Sequence, residues 1–307
     1  MKVLLNIVLY IVTLSGILFA QKPLSETDLT YFKKYEDSLV YYQKKLYSTK
    51  NDSLAMKINR QFIKVWDEVL SNQLSFEYPF DSIKEVGRLY SPDRKFRIIN
   101  WNFEFDDGTH SYFGFVQSLS KKKSEYELYE LHDYSNEIKN PETHSGNHQK
   151  WFGALYYKII PCSNYYVLLG LDLNDRASSK KLIEIISFKE NGEPLFGKPV
   201  FKFPKKDPKR IIFEYASGIV MTLKYIKEKE LIIFDHLAPT DSFLEGQYQF
   251  YGPDFTYDGF YYSKGKWKFE EDIDVKNIKN NKDNLWISPE NAKERTNKKE
   301  KPVYTPR

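Results

Sequence analysis

The spacing of apolar residues changes once along the chain, near residue 76. Before that point it is helical. Leu29, Phe32, Leu39, Tyr42 and Leu46 recur at steps of three, four or seven and so share one helix face. Ser25 and Asp28 have the form of a capping box at its start. Asn51, Asp52 and Ser53 interrupt, and each can cap a second helix. Its stripe is Leu54, Ile58, Phe62, Val65, Trp66 and Val69. Two such helices with a short connection predict an antiparallel hairpin over 21–75, buried on the domain that follows. A pair that docks another protein is the alternative.

From 76 onward the period is that of strands. Lys95–Phe105 alternates most clearly, with Phe96, Ile98, Asn100 and Asn102 opposed to Arg97, Ile99, Trp101 and Phe103. Asp106-Asp107-Gly108 then turns the chain into Tyr112–Val116. Further strand patterns are Glu125–Leu131, Phe152–Ile160, Tyr165–Leu171, Lys181–Phe188, Lys198–Phe203 and Arg210–Tyr215. Ile219–Tyr225, Leu231–Phe234, Gln247–Tyr251, Thr256–Tyr262 and Lys266–Glu270 complete the series. Turns are expected at Asn191-Gly192, Ser217-Gly218, Asp258-Gly259 and Lys264-Gly265. The fold class is therefore mainly β, an antiparallel meander over 76–275 in the form of a sandwich, a barrel or a small propeller. Ser91-Pro92-Asp93-Arg94-Lys95-Phe96 has the form of a turn that opens an inner propeller strand, but it occurs once.

The two ends are different in kind. Met1-Lys2, an apolar run from Val3 to Phe19 and the Ala20-Gln21 junction predict a cleaved secretory signal over 1–20. An uncleaved anchor is the alternative, disfavoured by a run short for a bilayer and favoured by Leu18 near the junction. No Cys follows the run to accept a lipid, and no later run is long enough to span a membrane, so no transmembrane segment is expected once the signal is removed. Residues 276–307 carry nine basic residues against four acidic and few apolar ones, which predicts a disordered basic tail that Trp286 pins to the body. The formal net charge of +4 therefore sits at the ends, and the near-neutral body excludes a nucleic-acid-binding face. One cysteine, Cys162, allows no internal disulfide, so the fold rests on its core, with Cys162 as a buried thiol beside a strand.

Candidate chemistry is sparse. His144 and His148 stand four apart, but Pro141 and Gly146 make their segment a loop and no Glu follows His144, so a solvated loop is expected over a metal site. Asp172, Asn174 and Asp175 could begin a calcium loop, but the glycine and distal Glu of such a loop are missing and a plain turn is expected. His236 ends the apolar strand that begins at Leu231, and Asp235, Glu245, Asp254 and Asp258 surround it in sequence. An imidazole among carboxylates suits general acid–base work. In a regular strand, however, Asp235 and His236 point to opposite faces. No metal or cofactor is expected. Twenty-four Tyr and five Trp are the largest compositional signal, suited to a sugar platform or a protein interface, or simply to β structure.

Tyr78-Pro79-Phe80-Asp81-Ser82, Ser91–Ile98, Trp151–Tyr157, Leu169–Asp175 and Glu245–Gly259 together resemble a family of exported Bacteroidota proteins with no assigned activity. The resemblance covers roughly 76–275 and implies export to the periplasm, cell envelope or exterior. The expected function is a non-enzymatic binding or envelope-associated protein contacting glycan or protein through aromatic surfaces. A hydrolase using His236 with a nearby carboxylate is the alternative.

Overall fold

The computed structural model describes residues 23–203 and 207–274; the expected signal and the whole tail with Trp286 lie outside them. The chain begins with α1 (Glu26–Ser48) and α2 (Asp52–Leu70). The capping box forms, with Asp28 N–H donating to Ser25 Oγ at 3.1 Å and Ser25 N–H to Asp28 Oδ2 at 2.9 Å. Asn51 caps α2, its side-chain oxygen accepting from Leu54 N–H at 2.9 Å. The buried face of α1 is Phe32, Glu36, Leu39, Gln43 and Leu46. Two polar residues complete that face, so Leu29 falls on its flank and is exposed, contrary to the apolar stripe. Glu36 tolerates burial because it accepts from Tyr78 O–H at 2.9 Å and Ser82 N–H at 2.8 Å. Leu54 is exposed as well, because the inward face of α2 is centred on Ala55, Ile58, Phe62 and Trp66.

The β region follows as β1 (Gly87–Tyr90), β2 (Phe96–Glu104), β3 (His110–Leu119) and β4 (Tyr126–His132), then β5 (Gly146–Asn147), β6 (Leu155–Pro161), β7 (Tyr166–Asp172), β8 (Ser178–Phe188) and β9 (Pro194–Phe196). It ends with β10 (Phe201–Lys202), β11 (Ile211–Ala216), β12 (Leu223–Ile226), β13 (Leu231–Pro239), β14 (Tyr251–Ser263) and β15 (Lys266–Glu270). β1 to β4 form the first sheet in chain order. The middle sheet runs β5-β9-β8-β7-β6, and β11 shares an edge of β8 with β9. The third runs β10-β15-β14-β13-β12. Pairing is antiparallel apart from the short β10–β15 ladder.

The two faces of each sheet decide how the sheets stack. Ile99, Trp101 and Phe103 of β2 share a core with Phe32, Phe62 and Trp66 of the helices. Phe96 and Ile98 face the other way and pack with Leu168, Leu182 and Ile186 of the middle sheet. Val167, Leu169, Ile183 and Ile185 then pack with Ile232, Phe234, Phe260 and Trp267 of the third. The result is four layers, a helix pair and three sheets, with no closed barrel among the described residues. β2 lies between two layers, so both of its faces are buried. Arg97 is enclosed on the helix side, donating to Gln117 Oε1 (2.8 Å), Tyr90 O–H (2.8 Å), Ser75 O (2.8 Å) and Tyr78 O (3.2 Å).

Three local expectations fail. Asp258-Gly259 is not a turn but mid-strand in β14. A Cβ on Gly259 would lie 2.5 Å from Ile273 Cδ1 and 2.7 Å from Ile232 O, so the glycine serves close packing. Gln247–Tyr251 is largely a single helical turn, Tyr248–Phe250, leading into β14. β13 does not end at His236 but runs on to Pro239, because Leu237–Pro239 still pair with Tyr251–Pro253 across a bulge.

Candidate functional site

That bulge sets the geometry around His236. Asp235 pairs with Tyr257 and Leu237 with Pro253, so Asp254, Phe255 and Thr256 loop out opposite His236, with Phe255 at φ 73°. His236 Nδ1 lies 2.8 Å from Asp258 Oδ2. This hydrogen bond holds the imidazole above its ordinary pKa, against a smaller opposing effect of burial and with support from the charges of Asp258, Asp254 and Asp272. Asp258 is buried, and its other oxygen accepts from Asp272 N–H at 3.1 Å. Ile273 N–H then donates to Tyr257 O at 2.6 Å, and Ile273 packs with Leu231 and Ile233. Asp258 Oδ1 therefore ties the segment after β15 onto the third sheet, while Oδ2 holds His236 of β13. The His236 side chain keeps 47% of its exposure, and with Nδ1 committed to Asp258 its remaining chemistry runs through Nε2.

The other predicted partners are spread apart in role. Asp235 is buried and accepts from Thr222 N–H at 2.6 Å, so it fastens the β12 side of the sheet. Asp254 accepts from Thr256 N–H at 3.0 Å. Burial pushes its carboxyl up, but the hydrogen bonds to Thr256 and the nearby His236 hold it below the usual range. Glu245 is exposed, and its N–H closes the turn Ser242–Leu244 onto Ser242 O at 3.3 Å. The structure thus joins His236 with Asp258 and sets Asp254 in their field, while Asp235 and Glu245 have separate partners.

A different feature runs from the β14 bulge to the tip of the β13–β14 hairpin and takes in the β11–β12 connection. Phe255 is 93% exposed, Val220 87% and Phe243 75%, and Ile219, Tyr248 and Phe250 are exposed with them. The tip is not loose: Thr240 N–H donates to Phe250 O at 3.0 Å and Gly246 N–H to Tyr251 O–H at 3.0 Å. Beside it lies a cleft of about 310 Å³ that Tyr248 shares with Phe152, Ile212, Lys180 and Glu214. Lys180 is held by Asn174 Oδ1 at 2.5 Å, and Glu214 accepts from Ser178 Oγ at 2.6 Å. Behind Phe152, the buried Arg210 stacks over its ring at 5.0 Å and is ion-paired to Glu184. Arg210 Nη2 has no partner among the described residues.

The remaining candidates settle as turns and packing. His144 Nε2 meets Lys150 O at 3.3 Å, and the His148 ring packs on Tyr129 at 5.1 Å. Asp172 accepts from Asn174 N–H at 2.8 Å, an Asx turn, and also from Tyr112 O–H at 2.8 Å. Among the described residues no three His, Cys, Asp or Glu come together as a metal would need. Cys162 is half-buried and its thiol is pushed up to about 11 by burial, which makes it a poor nucleophile. Trp66, Trp101, Trp151 and Trp267 are all buried, so among the described residues the large exposed rings are Tyr and Phe. No helix among the described residues is long and apolar enough to cross a membrane. The chain matches no known family, no curated protein and no solved structure.

Proposed function

We propose that this is an exported, non-enzymatic binding protein that holds an envelope glycan against the tip of the β13–β14 hairpin and the cleft beside it. The observation that carries this reading is the exposure of Phe243 on the hydrogen-bonded tip and of Phe255 in the β14 bulge below it. A large apolar side chain left in water on a fixed surface marks a contact site. The occupant follows from what lies between the rings. Thr240, Asp241, Ser242, Gln247, Gln249 and Asp254 alternate with Phe243, Tyr248, Phe250 and Phe255. A sugar presents the same alternation, with apolar C–H faces bounded by hydroxyl groups, and the cleft adds Lys180 and Glu214 beside Tyr248. A bare apolar partner surface would leave those polar groups unmatched.

The test is retention of the purified protein by immobilised cell-envelope polysaccharide. Wild type is expected to be retained and a Phe243→Ala, Phe255→Ala variant to pass through. Equal retention of both, or retention of neither, would end the proposal. A hydrolase is the second reading, carried by the 2.8 Å His236–Asp258 contact. It predicts turnover of the same polysaccharide that disappears in His236→Ala.

A further inference from the structure

The other end of the sheets carries a site of different character, independent of the hairpin tip. β8 runs from Ser178, which is bonded to Glu214 beside the cleft, to Phe188. Its two ends therefore mark the two ends of the stack. At Phe188 the first and middle sheets part into a crevice of about 320 Å³. Its aromatic lining is Tyr165, Tyr166 and Phe188, and the rings of Phe188 and Tyr166 pack on the buried Phe96 at 4.7 Å and 4.8 Å.

Charge gathers around this aromatic surface. Lys95, Lys121 and Lys189 line the crevice, with Asp93 as its acid. Asp93 is committed, accepting from Tyr166 O–H at 2.6 Å and pairing with Lys95 at 3.0 Å. Lys189 pairs with Glu193 at 2.8 Å. Lys121 makes no ion pair among the described residues, although its backbone is fixed. Ser163, Asn164 and Ser187 add hydroxyl and amide groups to the same walls.

The walls are held in place across the gap. Lys121 N–H donates to Glu190 O at 3.0 Å, Ser118 Oγ–H to Gly192 O at 2.5 Å, and Tyr129 O–H to Asn191 O at 3.0 Å. All three bonds join the first sheet to the β8–β9 turn of the middle sheet. A pocket already formed loses little entropy on binding.

We propose that this crevice binds a single sugar-sized ring bearing a carboxylate. The carboxylate meets Lys121, the ring face lies on Phe188 and Tyr166, and the hydroxyl groups meet Ser163, Asn164 and Ser187. A neutral sugar would leave Lys121 unmatched, and inorganic phosphate would leave the aromatic surface uncovered.

Cys162 supplies the means to locate the ligand, since it lines this crevice and is the only cysteine in the chain. The experiment pairs calorimetric titration of the intact protein with the rate of iodoacetamide alkylation at Cys162. The probes are galacturonate, galactose and benzoate. Galacturonate is expected to bind and to slow alkylation by the factor its own Kd requires at the concentration used. Galactose and benzoate should bind more weakly, each lacking one set of contacts. Lys121→Ala should weaken galacturonate about tenfold, the loss of one charge-assisted bond, without shifting the thermal midpoint. The proposal is overturned if galacturonate does not bind, if it binds without protecting Cys162, or if galactose or benzoate binds as well. None of these outcomes bears on retention by the hairpin tip, so the two sites stand or fall separately.

Discussion

The two ends of the sheet stack differ in how they spend aromatic residues. At the Phe188 end the rings turn inward. Phe96 is fully buried, Phe188 and Tyr166 pack on it, and three hydrogen bonds lock the first sheet to the middle one. Toward the hairpin end Phe243, Tyr248, Phe250 and Phe255 turn outward, and the tip is held by hydrogen bonds of its backbone and of the Tyr251 hydroxyl. Rings at the first end hold layers together and shape a pocket, whereas rings at the second contribute little to folding and remain free for contact. Composition cannot separate these uses, because the residue types are the same.

The largest expected effect is on stability near the Phe188 end. Arg97→Ala should cost about 3–5 kcal/mol in urea unfolding. It would remove a buried cation and take the Arg97 donor away from Tyr78 O and Gln117 Oε1, while Ser75 O would keep only the Tyr78 N–H. A loss below about 1 kcal/mol would show that the helix–sheet junction does not depend on it. Next comes the hairpin end, where stability and binding should separate. Phe243→Ala with Phe255→Ala should move stability by no more than about 0.5 kcal/mol. The same pair should weaken polysaccharide binding by about 2 kcal/mol, roughly thirtyfold. A large stability loss would mean that these rings belong to the core after all.

The smallest effect is at His236. Its pKa is raised in the folded chain, chiefly by the hydrogen bond to Asp258. A raised folded value means that the stabilisation is fully present below the unfolded value, about 6.5, and fades as pH rises through the folded value. His236→Gln should therefore cost more at about pH 5 than at about pH 8. Because the imidazole is well exposed, the difference should stay within about 0.2–1 kcal/mol. A larger loss at the higher pH would contradict the tether between His236, Asp258 and Asp272.

Much of the fold was legible in the chain. The helix pair, its capping box, the alternation of β2 and most of the antiparallel strands follow from local spacing, which acts over a few residues. What failed depends on partners distant in sequence. Leu29 is exposed because Glu36 can be buried against Tyr78 and Ser82, forty or so residues on. Gly259 is mistaken for a turn because its requirement comes from Ile273 and Ile232. β13 continues past His236 because a bulge lets Leu237 find Pro253. Only the His236–Asp258 contact among the predicted site residues formed a direct pair, since Asp235 and Glu245 met other groups. The cleft at Tyr248 draws on Phe152, Lys180 and Glu214 from three separate segments. Its one local signal is the ring-rich stretch Gln247–Tyr251, whose pattern predicts a strand where the chain makes a helical turn.

Hydrogen–deuterium exchange of the intact protein, with and without soluble envelope polysaccharide, tests the central claim most directly. Slower exchange confined to 240–256, with the cleft-lining segments around Phe152 and Glu214, is the predicted result. Unchanged exchange at 240–256 under conditions where the polysaccharide is bound would contradict it.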